Sequence, residues 1–364
     1  MKVALVCPTV GQTQRGYERF FSDLLRVLQP DLDVHLFKGG GGNAPHQTLV
    51  PHLSRSGALA RYFGPRMAYR RYQAEHASFA LMLAPALWRG GFDVVHVIDP
   101  PLAHHLARLR SLARLQYRLL FSHGGPALVD PGAGVDHVHC LTDAARMQLQ
   151  TLGVSAARSS VLPVGVALDR FVPSLERAAL RQAHGVGPEQ FVVLCVGAVN
   201  RDHKRIHHLI EEMSCAGGDA LLWLDGSLHP HGDPTLLLLA QEKLGGRFRY
   251  TQVESSRVGE LYAMADLMVS AAVEETFGMA VVEAMSAGLP VVVHDSPHFA
   301  TLLGGGAHRI NMQTPGALAQ ALGDWMAGRR PLAPPQDSRQ AVSRFGWDSL
   351  RKHYIDMYRR LLVS

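Results

Sequence analysis

Short apolar runs alternate along the chain with stretches whose apolar residues recur every three or four positions. In the first half, residues 3–7, 33–37, 93–98, 118–122, 137–141 and 160–163 read as strands. In the second half, residues 191–197, 220–224, 248–253, 267–271, 290–294 and 308–310 do so. Between them, Phe21, Leu24, Leu25 and Leu28 share one helical face, as do Ile206, Leu209, Ile210 and Met213. Such alternation predicts α/β architecture: parallel sheets with helices on both faces. Two sets of about equal length predict two Rossmann-like domains, whose ligands belong at the carboxyl ends of the strands, in a cleft between the domains. The breaker-rich stretch 164–173 marks the join.

Near the C-terminus, Leu350, Tyr354, Met357, Tyr358 and Leu361 fall at helical spacing and predict a packed helix. The proline-rich region 329–337 reads as a loop, and the glycine run 39–42 as a flexible one.

Composition narrows the classes. A chain of 364 residues with 47% hydrophobic content suits two cores better than one. No apolar run reaches the roughly 18–20 residues that span a bilayer. The first apolar run is cut by Pro8, unlike a secretory peptide, and the expectation is a cytoplasmic chain. Cys7, Cys140, Cys195 and Cys215 show no paired spacing and read as reduced thiols. The histidines at 104, 105, 203, 207, 208, 229 and 231 lack accompanying ligands at metal spacing, so they read as surface residues and no metal site is expected.

Net charge is +5, but unevenly spread: residues 1–170 carry +7 and the remainder −2. A basic half suits an acidic acceptor or the inner face of an anionic membrane. A surface that is simply arginine-rich accounts for it equally well. The stretch 54–73, with Arg55, Arg61, Arg66, Arg70 and Arg71 among apolar residues, could lie on anionic lipid or form a solvated helix. No interleaving of aromatic and basic residues points to nucleic acid.

The densest chemistry lies in Glu275-Thr276-Phe277-Gly278-Met279-Ala280-Val281-Val282-Glu283-Ala284-Met285 and the following Gly288-Leu289-Pro290-Val291-Val292. Gly278 permits a tight turn and close approach of a ligand. The helix that starts there can aim its unpaired N–H groups at an anion. Glu275 sits at the mouth of that turn, with Glu283 about a turn and a half further in. A phosphate flanked by hydroxyl-bearing groups, as in a nucleotide sugar, would fit. The plainer reading is a strand-loop-helix crossover with two solvated glutamates. Upstream, Gly197-Ala198-Val199-Asn200-Arg201-Asp202-His203-Lys204-Arg205 ends a strand and opens a helix. Arg201 offers a planar fork of donors and Lys204 a mobile point charge for a diphosphate.

The ordered Glu-x7-Glu block resembles the donor-site signature of the retaining GT-B glycosyltransferases, in particular family 4. The 197–205 loop resembles that family's diphosphate-binding loop, although Ala198 stands where the family usually has its arginine. Arg15-Gly16-Tyr17-Glu18 resembles the family's Gly-Gly turn after the first strand with one glycine replaced, and Ser122-His123-Gly124-Gly125 resembles its His-Gly pair beside the donor sugar. A tight structural turn at Gly16 and a packing or surface role for His123 are the equal alternatives. Tyr262-Ala263-Met264-Ala265-Asp266 and the Trp347-bearing tail extend the likeness.

This resemblance implies a GT-B fold: an acceptor-side domain at 1–168, a nucleotide-sugar domain at 169–345, and a final helix at 346–364 packing back on the first domain. It implies hexosyl transfer from a UDP- or GDP-linked sugar to an acceptor hydroxyl, with retention and without metal or other cofactor. Catalytic roles fall to Glu275, Lys204, Arg201 and His123, and donor binding to Gly16, Phe277, Gly278, Met279 and Glu283. Glu283 would hold ribose hydroxyls and Glu275 sugar hydroxyls. A nucleotide-sugar epimerase and a catalytically silent nucleotide-sugar-binding protein remain alternatives. A dinucleotide dehydrogenase is disfavoured, because no Gly-x-Gly-x-x-Gly follows the first strand.

Overall fold

The computed structural model describes residues 1–12, 16–55, 67–124, 132, 134–171, 175–228 and 232–363. The chain divides into two compact units: Met1–Gly165 with Trp347–Ser364, and Val166–Gly346.

The first unit carries strands β1 (Lys2–Cys7), β2 (Asp33–Lys38), β3 (Gln47–Leu49), β4 (Val94–Val97), β5 (Arg118–His123), β6 (His137–Cys140) and β7 (Ser159–Val161). They form one parallel sheet in the order β3-β2-β1-β4-β5-β6-β7. Its first helices are α1 (Gly16–Leu28), α2 (Ala68–Gly90), α3 (Pro100–Leu112) and α4 (Asp143–Thr151). The second unit carries α5 (Arg177–Ala183), α6 (Ile206–Ala216), α7 (Thr235–Leu244), α8 (Val258–Met264), α9 (Met279–Ser286), α10 (Pro297–Leu303), α11 (Ala317–Met326) and α12 (Pro335–Val342). Its strands are β8 (Val192–Val196), β9 (Leu221–Asp225), β10 (Phe248–Thr251), β11 (Leu267–Val269), β12 (Val291–His294) and β13 (His308–Ile310). They form a second parallel sheet in the order β10-β9-β8-β11-β12-β13.

Helix α13 (Trp347–Val363) belongs to the first unit. Its stripe Leu350, Tyr354, Met357, Tyr358 and Leu361 is buried throughout. Trp347 stacks on Phe20 of α1 with ring centroids 6.2 Å apart. Gly165 is needed beside it, because a Cβ there would lie 2.4 Å from the Trp347 ring.

The twelve predicted strands are all present. Buried parallel strands are near-continuous apolar runs, which makes them readable. β3 was not anticipated, and its Gln47-Thr48-Leu49 lies at the sheet edge beside β2. Two loop expectations need correction. The helix α12 starts inside the proline-rich 329–337 region, with Pro335 at its first turn, where a missing N–H costs nothing. The 39–42 run is tied down: Gly40 N–H donates to Val10 O at 3.0 Å, and the Gln12 side chain donates to Gly39 O at 3.1 Å. Gly11 and Gly40 touch backbone to backbone, so a Cβ on Gly11 would fall 2.3 Å from Gly40 O.

Candidate functional site

In the second unit the chain leaves β8 toward one edge of the sheet and, after β10, returns beside β8 as β11. The loops leaving β8 and β11 therefore diverge around a topological switch point, where open α/β sheets bind ligands. The basic loop follows β8 and the glutamate block follows β11.

The β8 loop is built for a fixed shape. Gly197 and Gly226, at the ends of neighbouring strands, pack so closely that a Cβ on Gly226 would lie 1.9 Å from Gly197 O. The Asn200 side chain accepts from the main-chain N–H groups of His203 (3.2 Å) and Lys204 (2.7 Å). Arg205 takes the left-handed conformation at the helix start, and its guanidinium donates to Met312 O at 2.8 Å. Arg205 is thus structural.

Lys204 Nζ donates to Glu275 Oε2, joining residues 71 positions apart. The Glu275 side chain is 10% exposed and Lys204 20%. Burial pushes the Glu275 carboxyl up, but the Lys204 ammonium, His203 and the Thr276 N–H outweigh it and hold it below its ordinary value. His203 Nε2 approaches Glu275 Oε1 to 3.7 Å. Burial, and then the neighbouring Lys204 charge, lower the His203 pKa. His298, on α10, is also lowered by burial and feels the Glu275 charge.

Gly278, with φ 83°, caps α9 in the left-handed region, and no side chain caps that helix. Its first N–H groups, around Met279, therefore receive no side-chain cap, and such groups can meet an anion. Phe277 is buried against Phe345, ring centroids 5.3 Å apart, which anchors the turn. Glu283 is buried inside α9 and accepts from Tyr262 Oη at 3.1 Å.

Neither glutamate is a freely solvated one. Arg201 lies apart from the pair. Its Nε donates to Asp233 Oδ2 at 2.6 Å and its NH2 group to Thr235 Oγ1 at 3.2 Å, on an exposed surface. Ala198 leaves the usual arginine position without a charge.

Sequence reasoning missed three second-unit residues. His203 was assigned to the surface and His298 to nothing; His203 stands beside Glu275, and His298 feels its charge. Asp225, buried at the end of β9, accepts from Thr251 Oγ1 (2.8 Å) and Val253 N–H (2.9 Å), so it shapes the loop after β10. His208 was also read as a surface residue, but α6 buries it. His229 and His231 lie outside the described residues.

In the first unit the switch point falls between β1 and β4. Gly16 opens α1. Its neighbour Tyr17 lies against Gly124, where a Cβ would meet the Tyr17 ring at 2.4 Å. His123, buried at the end of β5, is next to that contact. Asp99, after β4, accepts from Tyr72 Oη at 3.3 Å and lies 3.5 Å from His76 Nε2. No local signal marked that group. Arg15, Gly125, Arg61 and Arg66 lie outside the described residues.

The buried thiols are unsuited as nucleophiles: burial pushes Cys195 up to about 12 and Cys140 up to about 11. Among the described residues no group of three or more His, Cys, Asp or Glu is placed to hold a metal ion. No helix among them is long and apolar enough to cross a membrane.

Residues 190–327, which hold the loops after β8 and β11, match the family model described as Glycosyl transferases group 1. The chain is 27% identical over 247 residues to a D-inositol 3-phosphate glycosyltransferase of Catenulispora acidiphila, covering 62% of this chain and 56% of the relative. It is 28% identical over 216 residues to a GDP-mannose-dependent phosphatidylinositol dimannoside mannosyltransferase of Mycobacterium tuberculosis, covering 58% and 53%. The chain thus spans little more than half the length of these two relatives. Among solved structures, its fold matches sucrose-phosphate synthase from Thermosynechococcus elongatus with a TM-score of 0.82, at 18% identity and over 100% and 99% of the two chains. Anabaena HepE in complex with UDP and glucose matches with a TM-score of 0.76, at 16% identity and over 99% and 100%.

Proposed function

We propose that this chain is a GT-B glycosyltransferase that moves a sugar from a nucleoside diphosphate donor to an acceptor hydroxyl, with retained anomeric configuration and without a metal. The observation that carries this reading is the Lys204–Glu275 pair across the switch point of the second unit, beside the uncapped start of α9.

Breaking the bond between the sugar and the diphosphate leaves negative charge on the departing phosphate. Once the donor is bound, Lys204 and the first N–H groups of α9, from Gly278 and Met279, compensate it. Glu283 accepts from the ribose hydroxyls and Glu275 from the sugar hydroxyls. The acceptor oxygen bonds to the anomeric carbon on the face the phosphate leaves, through a short-lived oxocarbenium-like ion pair. The acceptor proton passes to the departing phosphate oxygen. Arg201, held by Asp233, supports the loop and adds long-range positive charge. Gly16 and His123, in the first unit, are assigned to hydrogen bonding with substrate.

The named relatives support GDP-mannose as a first donor to try and inositol-based acceptors, and the HepE complex supports UDP-glucose. The +7 balance of residues 1–170 and the exposed Tyr69 and Trp88 of α2 support peripheral contact with an anionic membrane, which co-sedimentation with phosphatidylglycerol vesicles tests. For the reaction, the chain is incubated with each donor and with myo-inositol or its phosphate. Proton NMR of the product should show the donor's own anomeric configuration, with full activity in the presence of a chelator. An inverted product or strict metal dependence would contradict the proposal.

A further inference from the structure

Glu275 presents two oxygens, and the loop after β8 offers each of them a side chain. Lys204 holds Oε2. His203 stands 3.7 Å from Oε1, too far for a hydrogen bond, and its Nε2 is buried without a hydrogen-bond partner. A buried ring nitrogen left unpaired beside a carboxylate is costly unless another state of the molecule uses it. The loop is set for such a state, because Asn200 fixes the main chain of both residues together.

The proposed function asks two things of Lys204 that one ammonium cannot do equally well. It must meet the donor's diphosphate, and it is the strongest partner of Glu275. We propose that His203 is a positioning residue that takes hold of Glu275 when the diphosphate draws Lys204 away, so that the carboxylate stays aimed at the sugar hydroxyls. This rests on the donor reading above. It adds that the chain distinguishes an intact nucleotide sugar from a bare nucleoside diphosphate through His203.

The test is calorimetric titration of UDP, UDP-glucose, GDP and GDP-mannose onto the wild-type chain and onto His203→Ala and His203→Gln. The wild type should bind one of the nucleotide sugars. His203→Ala should keep the affinity for the matching bare diphosphate within about twofold and lose about tenfold for the sugar-bearing donor, the scale of one hydrogen bond to a charged group. His203→Gln, which keeps a donor near the same place, should recover most of the loss. Equal losses for both ligands, or no loss for either, would overturn the role of His203, as would failure of the glutamine to rescue. A wild-type chain that binds none of the four ligands would overturn the donor reading itself.

Discussion

Lys204 and Glu275 form an ion pair between the loops that leave β8 and β11. Each is mostly enclosed, so each is the other's main source of electrostatic compensation. Removing one leaves the other charge partly buried and unpaired, which costs more than the pair itself contributes. Lys204→Ala should therefore lower stability by about 1–3 kcal/mol, less than for a fully buried pair because both groups keep some solvent. It should also cut turnover by on the order of 10²–10³. Adding Glu275→Gln should restore stability without restoring turnover. Urea denaturation of the two single variants and the double variant checks this, and additive losses would contradict the coupling.

Arg201 gives the opposite expectation. Its partner Asp233 sits on the surface, where such pairs contribute little to stability. Arg201→Ala should leave the melting temperature nearly unchanged and reduce turnover by less than about tenfold. A loss as large as that of Lys204→Ala would show that Arg201 leaves Asp233 for the diphosphate.

Glu283 is buried and bonded to Tyr262 Oη. Tyr262→Phe should cost about 1 kcal/mol of stability, the net worth of a hydrogen bond. Glu283→Ala should weaken the donor by at least about tenfold while leaving the fold intact by circular dichroism. Near-normal donor affinity would remove Glu283 from the site.

Buried histidines set the pH dependence. In the first unit, Tyr358 Oη, His96, Ser122 and His139 form one buried chain of hydrogen bonds of 2.6–2.8 Å that ends on Leu162 O. The carbonyl requires a proton on His139 Nε2. Ser122 then donates to His139 Nδ1, His96 Nε2 donates to Ser122, and Tyr358 donates to His96 Nδ1. Both rings are neutral in this arrangement. Burial lowers His139 to about 4 and His96 well below its ordinary value. The unfolded chain takes up these protons near pH 6.5 and the folded chain resists until much lower pH, so the unfolded state binds more protons between. Stability should fall as pH drops from about 6.5 towards 4. Thermal denaturation across that range measures it, and a flat profile would contradict the assignment.

Much of this was readable in the sequence. The strands announced themselves as apolar runs, and the β8 loop and the Glu275–Glu283 block each carried a local pattern. The pairing of Lys204 with Glu275 was not readable, because it spans 71 positions and follows from sheet order. His203 and His298 feel the Glu275 charge from different elements, and nothing in their own neighbourhoods distinguishes them from surface histidines. The same holds for Asp225 and Asp99, which tertiary packing encloses. Arg201 was legible as a phosphate ligand by type, but Asp233, 32 positions away, was not legible as its partner.

Calorimetric titration of UDP-glucose and GDP-mannose onto the wild-type chain and the Lys204→Ala and Glu283→Ala variants tests the proposed donor site most directly. Saturable one-to-one binding of at least one donor by the wild type, weakened at least about tenfold in both variants, is the predicted result. Absence of binding to the wild type, or equal affinity in all three, would contradict it.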